Sequence, residues 1–299
     1  MKKAISRPSL IFLLSVLFIA SHLRGQEIID LSDPDQNLQA FVKTRAALDG
    51  SEVVFWWAGT IHSFIPGERG IHLFNFEGFN VARVERIKQG YILLSREAAF
   101  YKDRESDAIL ETWDNPLSGQ TNQVIHVWND PVNQNLFLNS RYGPFNVSTT
   151  LLGADLYWHM EIFLNYPSPL PRSRYPQYSG SDEYQAAELF QYYTRLIDVI
   201  DQEKASIPCQ ISWSRISPWL PWMEMADRPG YLVYHCHGKK LENGFDDLPQ
   251  KIKDYVLANQ PKFRHAPEQY SETNETSWTY FKKLLQEGKI RQRPSAPKF

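Results

Sequence analysis

From Val53 onward, short apolar runs alternate with turn residues along the chain. Val53 to His62, Ile71 to Phe76, Phe79 to Ile87, Tyr91 to Tyr101 and Ile109 to Trp113 each read as a strand. The connectors carry Gly70, Gly78, Lys88-Gln89-Gly90 and the acidic stretch 103–107. Gln123 to Trp128 reads as a further strand, stopped by Asn129-Asp130-Pro131 because proline cannot donate to a ladder. A weaker strand is expected near Leu136 to Leu138. Short strands separated by small turns predict antiparallel pairing.

Asp155 to Tyr166 shows the clearest period of two. Leu156, Trp158, Met160, Ile162 and Leu164 fall on one face, and Tyr157, His159, Glu161, Phe163 and Asn165 on the other. The purely apolar face is expected to pack; the second faces either a cavity or water. Ala186, Leu189, Phe190, Tyr193, Ile197 and Ile200 follow helical spacing, and Ser181 and Asp182 can cap them, so a helix is expected over Glu183 to Gln202. Strands return at Cys209 to Ile216 and Tyr231 to His237, around a proline- and tryptophan-rich turn, Ser217 to Met223. Helices are expected at 37–48, 248–259 and 277–286. The pattern predicts a mainly β protein: an antiparallel, lipocalin-like β-barrel with an inserted helix and C-terminal helices. Residues 26–290 form its single domain and 291–299 a tail.

The first residues change the setting. Lys2, Lys3 and Arg7 precede an eleven-residue apolar run, Leu10 to Ala20, followed by small and polar residues. That is the pattern of a signal peptide, with cleavage after Gly25 or after Ala20, and the run falls short of the ~20 residues that span a bilayer. The expected location is secreted or periplasmic, with no membrane span. The net charge of −2 becomes more acidic once the leader's four basic residues are removed, which argues against nucleic acid as a partner. Nine Trp in 299 residues fit a filled β core or a pocket for a flat ligand. Cys209 and Cys236 both fall in strand-like segments, where they can pair or stay free. Asn146-Val147-Ser148 and Asn274-Glu275-Thr276 match the glycosylation acceptor pattern.

Several segments resemble a family of bacterial and fungal proteins called only a domain of unknown function, DUF1838. They are Thr112-Trp113-Asp114-Asn115-Pro116 with Ser118-Gly119, His126 through Val132, Asn165 through Leu170, Ser212 through Arg215, Pro218 through Met223, and Gly230 through His235. The resemblance covers about residues 35 to 290. It implies no established activity and no catalytic residue.

Three constellations can carry chemistry. His235 and His237 are two apart on a strand, so their imidazoles share a side and can bind zinc, copper or iron, with a third ligand from His126, His159 or Glu161. The alternative is one packed and one solvated histidine. His159 and Glu161 share a strand face and form a proton-transfer pair if that face is enclosed. Trp213 and Arg215 also share a face, with Trp219 and Trp222 in the turn beyond; they hold a ligand carboxylate against an aromatic wall or plug the core. Trp113, His126 and Trp128 join these as ligand-binding candidates. The chain has no G-x-S-x-G elbow, phosphate-binding glycine loop, CxxC or HExxH.

The leading expectation is a binder of a small apolar or aromatic molecule. The alternatives are an enzyme (isomerase, cyclase or hydrolase) using His159, Glu161, His235 and His237 as acid, base or metal ligands, and a structural protein with a filled core. No cofactor is assigned.

Overall fold

The structure is a computed structural model that describes residues 29–290. The expected leader and tail lie outside those residues. The first element is α1 (Pro34–Arg45), capped by Asp33, whose carboxylate accepts from the N–H groups of Asp35 and Gln36. Three long strands follow: β1 (Val53–Phe64), β2 (His72–Ile87) and β3 (Gly90–Lys102). Short pieces come next: β4 (Thr112–Asn115), β5 (Gln120–Gln123), β6 (Val127–Asn129), β7 (Gln134–Phe137), β8 (Asn139–Ser140), β9 (Gly143–Pro144) and β10 (Ser148–Leu152). The chain then forms β11 (Asp155–Pro167), β12 (Glu183–Arg195), α2 (Leu196–Ile200), β13 (Gln210–Ser217), β14 (Tyr231–Lys240), α3 (Gln250–Asn259) and α4 (Ser277–Gln286).

One antiparallel sheet organises the protein. Its order is β10-β11-β12-β13-β14-β1-β2-β3-β6, with β7 also on β3. Among the described residues β10 and β6 do not pair, so the path stays open where a barrel would close. The sheet curls, and its inner face shows why. Trp57 stands directly between Gly238 on β14 and Gly78 on β2. An added Cβ would lie 2.0 Å from the Trp56 carbonyl oxygen at Gly238 and 2.9 Å from the Trp57 ring at Gly78. The two missing side chains leave room for the indole and let the backbones approach.

Two apolar clusters cover the faces. On the outer face, Val54, Phe79, Val81, Ala98, Phe100 and Trp128 pack against Ile252 and Val256 of α3 and against Phe245 and Phe263. On the inner face, Ile61, Phe74, Phe76, Tyr101 and Tyr234 pack with Trp113, Trp222, Trp278 and Phe281. Trp278, Phe281 and Leu285 are buried at helical spacing on α4, each contributing roughly 2–3 kcal/mol. At the opposite end, Phe41 of α1 sits edge-on to Trp158 and Tyr192. Thus α1 stops one end of the curl, and α4 with the 217–223 turn stops the other.

The fold corrects several expectations. Residues 183–195 are strand β12, and helix is confined to Leu196–Ile200. Tyr184, Ala186, Glu188, Phe190, Tyr192 and Thr194 repeat every second residue as well, and pairing along the whole of β12 with β11 decides between the two periods. Gly78 lies inside β2 rather than in a connector. The stretch from Gln123 to Trp128 is not one strand: β5 ends at Gln123 and β6 begins at Val127. Of the two alternatives left open for Cys209 and Cys236, pairing or staying free, the structure has the second, with both thiols buried. Cys236 stands opposite Trp213, four positions along β13 from Cys209, roughly 13 Å away along the strand.

Candidate functional site

The inner face encloses a cavity of about 400 Å³ between the two stoppers. Its wall follows from the register. One lateral row runs Met160, Phe190, Trp213, Cys236, Gly59, Phe76, Tyr101. The next runs Ile162, Glu188, Arg215, Tyr234, Ile61, Phe74. Residues directly opposite in adjacent strands share a face, so these rows set aromatic rings beside one another. The Trp213 ring is stacked on Phe190 at 6.2 Å and edge-on to Trp57 at 6.2 Å. Phe76 lies 5.3 Å from Tyr101 and 5.4 Å from Tyr234.

Two polar groups interrupt this wall. In the first, Arg215 donates through Nη1 to Glu188 and through Nη2 to the Tyr184 hydroxyl. Burial would pull the Arg215 pKa down, but Tyr184 and Glu188 beside it raise it. In the second, Asn80, Glu97 and Asn129 form one lateral row on the inner face of β2, β3 and β6. Asn129 donates to Glu97 at 3.4 Å, and Arg45, from the end of α1, donates to Asn80 at 2.6 Å. Arg45 lies 5.2 Å from the Phe55 ring centroid. Burial pushes the Glu97 pKa up to about 7, aided by the negative charge of Glu188 and opposed by Arg215 and Arg45. Several buried polar atoms on the lining have no hydrogen-bond partner among the described residues: Arg45 Nη1, Trp57 Nε1, Trp213 Nε1, Asn129 Oδ1 and Asn133 Oδ1.

The rim opposite β14 is made by loops. Asn133 and Asn274 exchange hydrogen bonds of 2.7 and 2.9 Å, joining the loop after β6 to the segment that leads into α4. Asn274 to Trp278 line the cavity there. On the facing side, β10 covers only Asp155 to His159 of β11 and leaves Met160 to Pro167 as an edge.

Of the residues singled out from the sequence, Trp213 and Arg215 line this cavity. Trp113, Trp219 and Trp222 belong to the inner core cluster and are not on the lining. Trp128 packs on the outer face against Phe100 and Phe263, at 5.3 and 5.0 Å. His126 is buried in the wall, where its Nδ1 accepts the Tyr101 N–H at 3.2 Å and burial lowers its pKa to about 4.

His159 and Glu161 take the outer of the two readings left open for them. The apolar residues Met160, Ile162 and Leu164 of β11 line the cavity, so His159, Glu161 and Phe163 face away, and Phe163 is 76% exposed. His235 and His237 are exposed on that same outer face. The register separates the pairs: His159 meets His237 only across Gln191 and Ser212, and Glu161 meets His235 only across Leu189 and Ser214. Three strand spacings are roughly 14 Å, beyond shared metal ligation. His126, the remaining candidate third ligand, lies in the wall beside Tyr101. Among the described residues no three His, Cys, Asp or Glu side chains are placed to share a metal ion. No described helix is long and apolar enough to cross a membrane.

Sequence reasoning passed over Arg45, Trp57, Asn80, Glu97, Asn129 and Glu188. A signal existed for Glu97: it breaks an otherwise apolar and small inner set, Leu93, Ser95, Ala99 and Tyr101, at period two. None existed for Arg45, because the end of a surface-type helix is an ordinary place for a basic residue.

The model of the family described as "Protein of unknown function (DUF1838)" matches residues 50–285. The chain belongs to this family. No curated protein matches it.

Proposed function

We propose that the protein binds one small, flat, largely apolar molecule in the cavity between α1 and α4. The observation that carries this reading is the aromatic part of the lining: Trp57, Phe76, Phe190 and Trp213 around about 400 Å³ of space, with polar side chains gathered at the Arg215–Glu188 pair, the Asn80–Glu97–Asn129 row with Arg45, and the loop rim. Small-molecule sites have this character, mostly apolar walls with a few placed donors and acceptors. On this reading the open sheet works as a lipocalin-like cup, with the loops at Asn133 and Asn274 as its lip. The leader pattern in the sequence puts its place of action outside the cytoplasm, in the periplasm or the medium.

The test is a fluorescence titration with 2-(2-naphthyl)ethanol, a flat uncharged probe. Saturable quenching of tryptophan emission is expected in the wild type. It should vanish in Ile162→Trp, which fills the cavity from β11. Unsaturable quenching, or equal binding by Ile162→Trp with an unchanged circular dichroism spectrum, rules the reading out.

A second reading is favoured by Glu97. A carboxyl group with a pKa of about 7 inside a ligand cavity suits proton transfer near neutrality. On that reading the protein is an isomerase, cyclase or hydrolase with Glu97 as acid or base. Glu97→Gln would then retain the ligand and lose turnover.

A further inference from the structure

Two arginines reach the cavity, and their situations differ. Arg215 is committed: Glu188 neutralises it, and the Tyr184 hydroxyl takes a second N–H. Arg45 is not paired with a carboxylate. Its Nη2 donates to the neutral Asn80 amide at 2.6 Å, and its Nη1 has no hydrogen-bond partner among the described residues. The Phe55 ring lies beside the guanidinium and the Tyr192 hydroxyl is a further hydrogen-bonding neighbour, so Nη1 is the open group. A partly buried cation with a free N–H is costly unless an acceptor completes it.

We propose that the ligand is a monocarboxylic acid with an apolar aromatic body, and that Arg45 rather than Arg215 receives its carboxylate. This rests on the cavity being a ligand site. A planar guanidinium with one open N–H suits a carboxylate oxygen. The aromatic wall of Trp57, Phe76 and Trp213 takes the body. With Arg215 neutralised by Glu188, Arg45 offers one positive charge, which matches a singly charged carboxylate better than a doubly charged phosphate monoester. The Glu97 carboxyl, held largely protonated below about pH 7, can donate to the second carboxylate oxygen.

The experiment compares three probes with one ring system at pH 6.5: 2-naphthylacetate, 2-(2-naphthyl)ethanol and 2-(2-naphthyl)ethylamine. The acid is expected to bind about tenfold tighter than the alcohol, the worth of one charged hydrogen bond, and the amine weakest. Arg45→Met should remove the advantage of the acid over the alcohol. Equal binding of acid and alcohol overturns the carboxylate while leaving the cavity reading in place, as does a preference for the amine. An acid advantage kept by Arg45→Met but lost in Arg215→Met overturns the choice of arginine. If Arg45→Met does not fold, Arg45→Lys, which keeps the charge and loses the fork, should lose part of the advantage. An unchanged advantage in Arg45→Lys overturns the guanidinium's role. Binding of none of the three probes removes the cavity reading and this proposal together.

Discussion

Glu188 on β12 and Arg215 on β13 stand directly opposite each other on the inner face and form an ion pair. Both side chains are mostly buried, at 16% and 23% exposed. Removing one partner of such a pair leaves the other charged and unsatisfied. Glu188→Ala should therefore cost about 3 kcal/mol in urea denaturation. Glu188→Leu with Arg215→Met should cost clearly less than the sum of the single changes. Additive losses would mean the pair contributes nothing as a pair.

Glu97 ties stability to pH in one direction. Its folded pKa, about 7, lies above the unfolded value near 4.5. The folded state holds the proton more tightly, so the contribution is full below pH 4.5 and fades as pH rises through 7. Relative to Glu97→Gln, the wild type should lose roughly 3 kcal/mol between pH 4.5 and 7.5. A pH-independent difference between the two in chemical denaturation would place the carboxyl in contact with water.

His126 acts in the opposite sense. Burial lowers its folded pKa to about 4, below the ordinary 6.5. The neutral ring accepts the Tyr101 N–H, so its contribution is present above pH 6.5 and is lost as pH falls through 4. His126→Asn should lower stability at pH 7.5 and flatten the acid limb of the stability curve between pH 6.5 and 4. Direct titration by NMR should find no protonation of His126 above pH 5.

Gly238 is required by the approach of β1. A Cβ there would lie 2.0 Å from the Trp56 carbonyl oxygen, which is backbone and cannot swing aside. Gly238→Ala should cost about 3 kcal/mol and shift tryptophan emission as Trp57 is displaced. Gly153→Asn is the control: Gly153 has φ +63°, which Asn tolerates, and nothing stands within 4 Å of the added Cβ. Equal losses from the two changes would remove the close-approach argument.

The sequence carried the strands well where only one period was available. Residues 231–237 carry Leu232, Tyr234 and Cys236 at every second position in a run too short for a competing helix, and they belong to β14. The C-terminal helices were equally legible, since Trp278, Phe281 and Leu285 fit only a helix. Residues 183–195 fit both periods, and the ladder to β11 chose between them. The site was harder to see. Trp213 and Arg215 could be named because they share a strand face close to a tryptophan-rich turn. His235 and His237 share a face too, but it is the outer one.

By itself the sequence determined the class of fold, the places of most strands and helices, the apolar side of β11, and membership of a family through dispersed motifs. These are local properties: a period, a cap, a turn residue or a short word. The tertiary structure decided which face of the sheet is concave, and therefore which residues meet. Arg45 lies 170 positions before Arg215, and Glu97 lies 91 positions before Glu188, yet curling of the sheet and docking of α1 bring them around one cavity. No period along the chain encodes that meeting. It arises from strand order, register and the glycines that let the sheet bend around Trp57.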